Sequence, residues 1–175
     1  MKIGFCGTMS VGKTTLVNAL KELDIFKDHT FATERSKYLR DLGIPLNTDS
    51  TLKGQTIFLA ERCSELIQPN IVTDRTIIDV MAFTQSAKSI TYLDGDAFCD
   101  YAARFLSEYN YIFYVSPEGV EMEDNGVRTT DLEYRAKIDN TIQKLLNKYI
   151  PSRYYTIKGT TEERIASIKD IMNLK

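Results

Sequence analysis

A glycine-containing segment near the start of the chain carries the residue types that bind phosphate. Residues 7–14 read G-T-M-S-V-G-K-T. Glycine lets the backbone approach phosphate oxygens closely, lysine supplies a cation for the β- and γ-phosphates, and a threonine hydroxyl can bind Mg²⁺. The spacing fits a Walker A loop and predicts ATP and Mg²⁺ as cofactors. The residues expected to contact the nucleotide are Gly7, Thr8, Met9, Ser10, Val11, Gly12, Lys13, Thr14 and Thr15.

A second candidate group follows the apolar run N-I-V-T-D, residues 70–74. Ligands of open parallel sheets bind at the carboxyl ends of the strands, so Asp74 is expected beside the phosphate loop as a Mg²⁺ ligand with Thr14. The alternative is that Asp74 caps the next helix. Arg75 is expected to bind an acceptor phosphate or to position an acceptor sugar, and the alternative is a surface ion pair.

Glu34 follows the short run F-A-T, residues 31–33, at the end of a neighbouring strand. A carboxylate at this point can take the proton from an acceptor hydroxyl. The alternative is that Glu34 only places a favourable negative charge at the start of a helix.

The polar segment 118–135 is predicted to form a lid that carries Arg128 and Arg135 on a glycine-containing loop. Arginines that close over a transferring phosphate screen its charge and exclude water. The alternative is a solvated loop leading into a helix, with Arg135 paired to Asp131 or Asp139.

Alternating strands and helices must position these residues. Strands are predicted over residues 2–6, 30–33, 70–74, 111–115 and 154–158. One helix is predicted to begin at residue 13, and a second is predicted to end near residue 43. Further helices are predicted over 50–67, 77–86, 95–109 and 132–149, and a last helix is predicted to begin at residue 160. The turn signal Asp94-Gly95 is expected to precede the helix 95–109. The pattern predicts an α/β fold, a P-loop NTPase three-layer sandwich whose mostly parallel five-stranded sheet has helices on both faces.

The composition limits the protein class. With 175 residues, 43% hydrophobic and 26% charged, we expect a single domain over 1–175. The net charge of -2 gives no general basic field for nucleic acid. The three cysteines are expected to be buried, reduced thiols, and the single His29 to have a surface or capping role. Without an apolar membrane span or a signal segment, a cytoplasmic protein is expected.

The phosphate loop, the run D-R-T-I-I-D at 74–79 and the lid pattern G-V-R with E-Y-R resemble the small AAA-like P-loop kinases. These include the ribosylnicotinamide kinase domain of bacterial NAD regulators and phage-encoded nucleotide and DNA-base kinases. The resemblance spans nearly the whole chain. It implies that Lys13 and Thr14 bind ATP and Mg²⁺, that Asp74 and Arg75 serve metal and acceptor, and that Arg128 contacts the phosphates. Relatives tend to place an arginine a turn after the glutamate, whereas Arg35 is adjacent to Glu34 here.

The resulting hypothesis is a kinase that transfers the γ-phosphoryl group of ATP to a nucleoside, a nucleotide or a hydroxymethylated pyrimidine in phage DNA, as a 5-hydroxymethyluracil DNA kinase does. A deoxynucleoside monophosphate kinase is the alternative within this class. A nucleotide-dependent switch ATPase or GTPase and a degenerate, purely structural P-loop domain are the alternatives from other classes. The oligomeric state, monomer or dimer, stays open.

Overall fold

The central sheet contains five parallel strands in the order β2-β3-β1-β4-β5. The computed structural model describes residues 1–33, 36–120 and 131–174, and the strands are counted within these ranges. The strands are β1 (Lys2–Cys6), β2 (Thr30–Ala32), β3 (Ile71–Asp74), β4 (Tyr111–Val115) and β5 (Tyr155–Ile157). The predicted five-stranded sheet is confirmed, and every pairing among the described strands is parallel.

Seven α-helices connect and cover the strands in the described part of the chain. They are α1 (Lys13–Lys21), α2 (Ser36–Asp41), α3 (Leu52–Glu65), α4 (Ile77–Ser86), α5 (Tyr92–Ala102), α6 (Leu132–Tyr149) and α7 (Thr161–Ile171). Short 3-10 helices lie at Asp24–Phe26, Asn47–Asp49 and Ala103–Glu108.

Helices pack on both faces of the sheet, because successive strand side chains point to opposite sides. Ile3 and Phe5 of β1 belong to a buried cluster with α1 and α7. Cys6 of the same strand belongs to a second cluster, which contains residues of α3, α4, α5 and α6. The predicted three-layer sandwich is therefore confirmed.

One predicted helix begins at the wrong residue. The Asp94-Gly95 pair is not a turn before a helix, because both residues lie inside α5, which begins at Tyr92. Thr91 caps this helix: its hydroxyl oxygen accepts a hydrogen bond from the Asp94 amide at 3.2 Å. The cap fixes the helix start, so the local turn preference of Asp-Gly does not decide the structure. The predicted helix 95–109 ends as the 3-10 helix Ala103–Glu108.

The three cysteines are free thiols, as predicted, but they are not equally buried. Cys6 and Cys99 are buried, whereas Cys63 is only half-buried, which corrects the expectation for that residue. Burial raises the pKa of all three thiols and so favours the neutral form. In the described residues, helices with the length and apolar character needed to cross a bilayer are absent.

Candidate active site

The phosphate loop follows β1 and leads directly into α1. Gly7 has a φ of +152° and Gly12 a φ of +82°, and a Cβ at Gly7 would lie only 2.7 Å from the carbonyl oxygen of Val115. A larger residue at Gly7 would therefore clash with β4. Gly12 is the N-cap of α1 and supplies no side-chain cap. The amide groups at the start of α1 therefore lack the side-chain acceptor found at other helix starts, and such amides bind anions.

Cationic side chains bind every carbonyl oxygen from Gly7 to Val11. Lys13 Nζ donates to the carbonyls of Gly7 at 2.6 Å and Thr8 at 2.7 Å. Arg135 donates to Met9 through Nε at 3.2 Å and to Ser10 through Nη2 at 3.3 Å. Arg164 Nη1 donates to Val11 at 2.7 Å. These bonds neutralise the negative ends of the loop carbonyls, which would otherwise repel a phosphate group.

Thr14 and Asp74 meet at the carboxyl edge of the sheet. The Thr14 hydroxyl donates a hydrogen bond to Asp74 Oδ2. Asp74 is paired in register with Phe5 of β1, which brings the end of β3 beside the loop. The alternative role of Asp74 as a helix cap is wrong, because Thr76 caps α4.

The donor set of Thr14 and Asp74 fits Mg²⁺. Both side chains offer oxygen ligands, and Mg²⁺ sites in nucleotide enzymes commonly combine one or two carboxylates with substrate phosphates. The described residues contain no group of three or more His, Cys, Asp or Glu side chains that could hold a metal ion by themselves. The arrangement thus suits a cation that arrives with a nucleotide.

Arg75 lies directly after Asp74 and is held in place by α4. Its side chain is 12% exposed, its Nη1 is 3.6 Å from Asp79 Oδ1, and its guanidinium lies 5.3 Å from the centre of the Phe83 ring. The ion pair is therefore mostly buried, not on the surface. The backbone φ of Arg75 is 115°, a conformation that residues other than glycine rarely adopt and that clusters at ligand-binding and active sites.

Asp79 is a site residue to which the sequence analysis gave no role. Its Oδ1 accepts a hydrogen bond from the Gly7 amide at 3.3 Å, and its Oδ2 accepts from the Thr76 amide at 2.7 Å. The carboxylate is only 1% exposed. Asp79 therefore links the phosphate loop, the start of α4 and Arg75. The Thr-x-x-Asp pattern at 76–79 in the sequence predicts the start of a helix, but it does not predict the hydrogen bond between Asp79 and the phosphate loop.

Arg135 lies in the first turn of α6, within the helix predicted over 132–149 and not on the loop predicted to carry it. Its Nη2 also donates to the carbonyl of Val120 at 3.0 Å, which ties α6 to the first part of the predicted lid. Of the two carboxylates suggested as its partners, Asp139 accepts hydrogen bonds from Tyr114 and Gln143, each at 2.8 Å. Arg135 is brought to the phosphate loop by contacts with backbone oxygens.

Arg164 in α7 is a second residue that the sequence analysis missed. No motif marked it, because it stands 153 positions along the chain from its partner Val11. Among the other predicted residues, Thr8, Met9, Ser10 and Val11 lie buried in the loop, while Thr15 in α1 is exposed. Glu34 and Arg128 lie outside the described residues.

Comparison with solved structures finds the same fold in nucleoside and nucleotide kinases. A deoxyadenosine kinase from M. mycoides with products dCMP and dCDP bound matches with a TM-score of 0.68 at 17% identity, over 99% of this chain and 98% of that one. A thymidylate kinase from Ehrlichia chaffeensis matches with a TM-score of 0.64 at 15% identity, over 99% and 98%. The NadR protein in complex with NR matches with a TM-score of 0.78 at 15% identity, over 99% of this chain and 52% of that one.

At the sequence level, no curated protein matches this chain significantly. A family model described as an AAA domain matches residues 2–164, which include the phosphate loop, Asp74, Arg75 and Arg164. The match covers most of the chain and agrees with the P-loop kinase fold. The chain belongs to this AAA domain family.

Proposed function

We propose that this chain is an ATP- and Mg²⁺-dependent kinase that transfers a phosphoryl group to a hydroxyl of a nucleoside or nucleotide. The observation that carries the proposal is the arrangement at the carboxyl edge of the sheet. There Lys13 is held inside the phosphate loop by two carbonyl oxygens, and Thr14 donates to Asp74. Phosphoryl transfer depends mainly on positioning and charge neutralisation, which these groups supply.

In the proposed reaction the acceptor hydroxyl oxygen forms a bond to the γ-phosphorus while the bond from that phosphorus to the β,γ-bridging oxygen breaks. ADP leaves with the electron pair of the broken bond. The hydroxyl proton passes to a base, and Glu34 stays a prediction for that role. Thr14 and Asp74 would hold Mg²⁺, which neutralises phosphate charge when it is bound.

Arg75 is assigned to the acceptor side because it follows the Mg²⁺ ligand Asp74 and is oriented by Asp79 and Phe83. A guanidinium fixed in this way can bind a phosphate or sugar oxygen without losing further conformational freedom. Arg135 would stabilise the donor side from α6, and Arg128 stays a prediction. The proposal takes residues 1–175 as one kinase domain with a lid at 118–135, acting in the cytoplasm.

The acceptor is proposed to be a nucleoside or a nucleoside monophosphate. This class is supported by the solved proteins of the same fold, which include a deoxyadenosine kinase, a thymidylate kinase and a protein complexed with NR. A hydroxymethylated pyrimidine in DNA is a third acceptor to test, although the net charge of -2 favours small acceptors over duplex DNA.

An acceptor panel with labelled ATP and Mg²⁺ tests the proposal. It should include nucleosides with nicotinamide riboside, nucleoside monophosphates, and DNA containing 5-hydroxymethyluracil. We expect one acceptor class to become labelled, and Lys13→Ala to lower kcat/KM by about a hundredfold or more, because the loop then lacks the ammonium group that would bind the β- and γ-phosphates.

The matched control is Lys144→Ala, which removes an exposed lysine from α6 and should leave kcat/KM unchanged. Labelling by Lys13→Ala at the parental rate would contradict the proposal. ATP hydrolysis that needs no acceptor, together with partner binding in one nucleotide state only, would instead favour a switch ATPase. Absence of ATP binding would indicate a structural P-loop domain.

A further inference from the structure

Arg164 lies against the phosphate loop from the side of α7. Its side chain is only 3% exposed, and its Nη1 donates to the carbonyl of Val11 at 2.7 Å. The same nitrogen is 3.1 Å from the position that a Cβ at Gly12 would occupy. The guanidinium therefore packs directly against the last two residues before α1.

The positive charge of Arg164 has no anionic partner within the described residues. Its Nε and Nη2 atoms are buried and donate a hydrogen bond to no described group. Arg62 is equally buried at 3% exposure, but it forms an ion pair with Glu65 at 2.7 Å. A buried cation without a counter-charge is unfavourable, so its presence needs a compensating anion.

The phosphate loop is the place where that anion would bind. The open start of α1 and Arg164 lie at the Val11-Gly12 end of the loop, and the ammonium group of Lys13 lies at the carbonyls of Gly7 and Thr8 in the same loop. A triphosphate brings several negative charges to this point, and a desolvated cation interacts with it more strongly than an exposed one does. Resting on the proposed ATP site, we propose that Arg164 is a positioning residue of the nucleotide site whose charge is balanced when a nucleotide triphosphate binds.

A nucleotide-positioning role and a purely structural role of Arg164 predict different effects on the stability of the free protein and on nucleotide affinity when the residue is replaced. A structural brace would lower the thermal stability of the free protein when it is removed and leave nucleotide affinity unchanged. A cation that lacks a counter-charge in the free protein does the opposite. Its replacement by a neutral side chain of similar length should leave the Tm of the free protein unchanged or raise it, and should weaken nucleotide binding.

Titration calorimetry of the full chain with Mg-ATP, without acceptor, tests this. We expect Arg164→Met to raise the Kd about tenfold and Arg164→Lys, which keeps the charge, to stay within about threefold of the wild type. Arg153→Met is the control, because it removes an exposed arginine next to the amino end of β5 and should not change the Kd. Melting curves of the free variants give the stability readout.

An Arg164→Met variant that binds Mg-ATP within about twofold of the wild type would overturn the proposal, as would a tenfold loss in Arg164→Lys. The Lys variant decides the question if Arg164→Met does not fold. A wild-type chain that binds no Mg-ATP would contradict the proposed function as well. Failure of the acceptor panel alone leaves this inference intact, because the measurement needs no acceptor.

Discussion

Asp79 shows how one buried carboxylate can join two halves of a site. Its two oxygens are shared among the Gly7 amide, the Thr76 amide and the guanidinium of Arg75. Asparagine has the same shape but only one acceptor oxygen and no charge. An Asp79→Asn change therefore cannot satisfy all three groups.

The chain contains a matched control for this residue. Thr91 and Asp94 at the start of α5 repeat the Thr-x-x-Asp spacing of Thr76 and Asp79, and the Thr91 hydroxyl donates to Asp94 Oδ2 at 2.7 Å. Asp94 is exposed, and its hydrogen bonds with Thr91 lie within its own helix cap. Comparison of the two positions separates the helix cap from the link to the phosphate loop.

We predict that Asp79→Asn lowers the free energy of unfolding by about 2–4 kcal/mol, because it removes the negative charge beside the guanidinium of Arg75 and leaves a buried amide without its acceptor. It should also lower kcat/KM at least about tenfold by releasing Arg75. Asp94→Asn should cost about 1 kcal/mol or less and leave kcat/KM unchanged. Urea unfolding and initial-rate kinetics measure both effects. Equal losses at the two positions would show that Asp79 acts only as a cap.

At the level of elements, one glycine in a strand and one in a helix should respond in opposite ways to substitution by alanine: one variant should be less stable and the other more stable. At Gly4 in β1 an added Cβ would lie 2.5 Å from Cγ2 of Thr76 and 2.7 Å from Cε1 of Tyr109. At Gly95 inside α5 the nearest atom would be Cγ2 of Ile90, at 3.7 Å. The first position has no room for a methyl group, and the second has ordinary contact distance.

Gly4→Ala should therefore lower the free energy of unfolding by about 1–3 kcal/mol through overpacking. Gly95→Ala should raise it by about 0.5–1 kcal/mol, because alanine loses less entropy than glycine in a helix. Urea titration of both variants measures the two changes. A Gly4→Ala protein as stable as the wild type would mean that α4 and Tyr109 can move away from the sheet.

The elements were more predictable than the contacts between them. The bounds of α4, β4 and α6 agree with the sequence patterns, because apolar periodicity and caps are local signals. The start of α5 was missed, because the Thr91 cap competes with the Asp94-Gly95 turn signal. Arg164 could not be assigned to the site from sequence, because its contact with Val11 depends on how α7 packs against α1.

At the level of the whole molecule, the single histidine predicts how stability depends on pH. The ring nitrogens of His29 are buried, and its ring packs edge-on against Phe26 with the ring centres 5.4 Å apart. Burial lowers the pKa of His29 from its ordinary value of 6.5, with a further contribution from the positive N-terminal amine. The unfolded chain therefore takes up a proton more readily than the folded one.

The sign follows from this difference in proton binding. Stability should be full above about pH 7.5 and should fall as the pH drops through 6.5 toward the lower pKa of the folded state. In His29→Gln the fall in stability around pH 6.5 should disappear. The further fall in stability below about pH 5, which comes from protonation of carboxylates, should remain. Thermal melts at several pH values measure the Tm slope. The same slope in both proteins would show that His29 is protonated equally in the folded and unfolded states.

The position of β1 in the sheet has a consequence for synthesis. β1 leaves the ribosome before the other strands, yet it occupies the middle of the sheet, between β3 and β4, and β4 begins only at Tyr111. At translation rates of about 5–20 residues per second, the intervening stretch takes roughly 5–20 s to make. Until then the edge of β1 that pairs with β4 has no partner, and the cluster around Ile3 and Phe5 lacks Phe113 and Val115 of β4. Recombinant yield should therefore improve at low induction temperature or with added chaperone, which keep emerging chains apart until β4 is available.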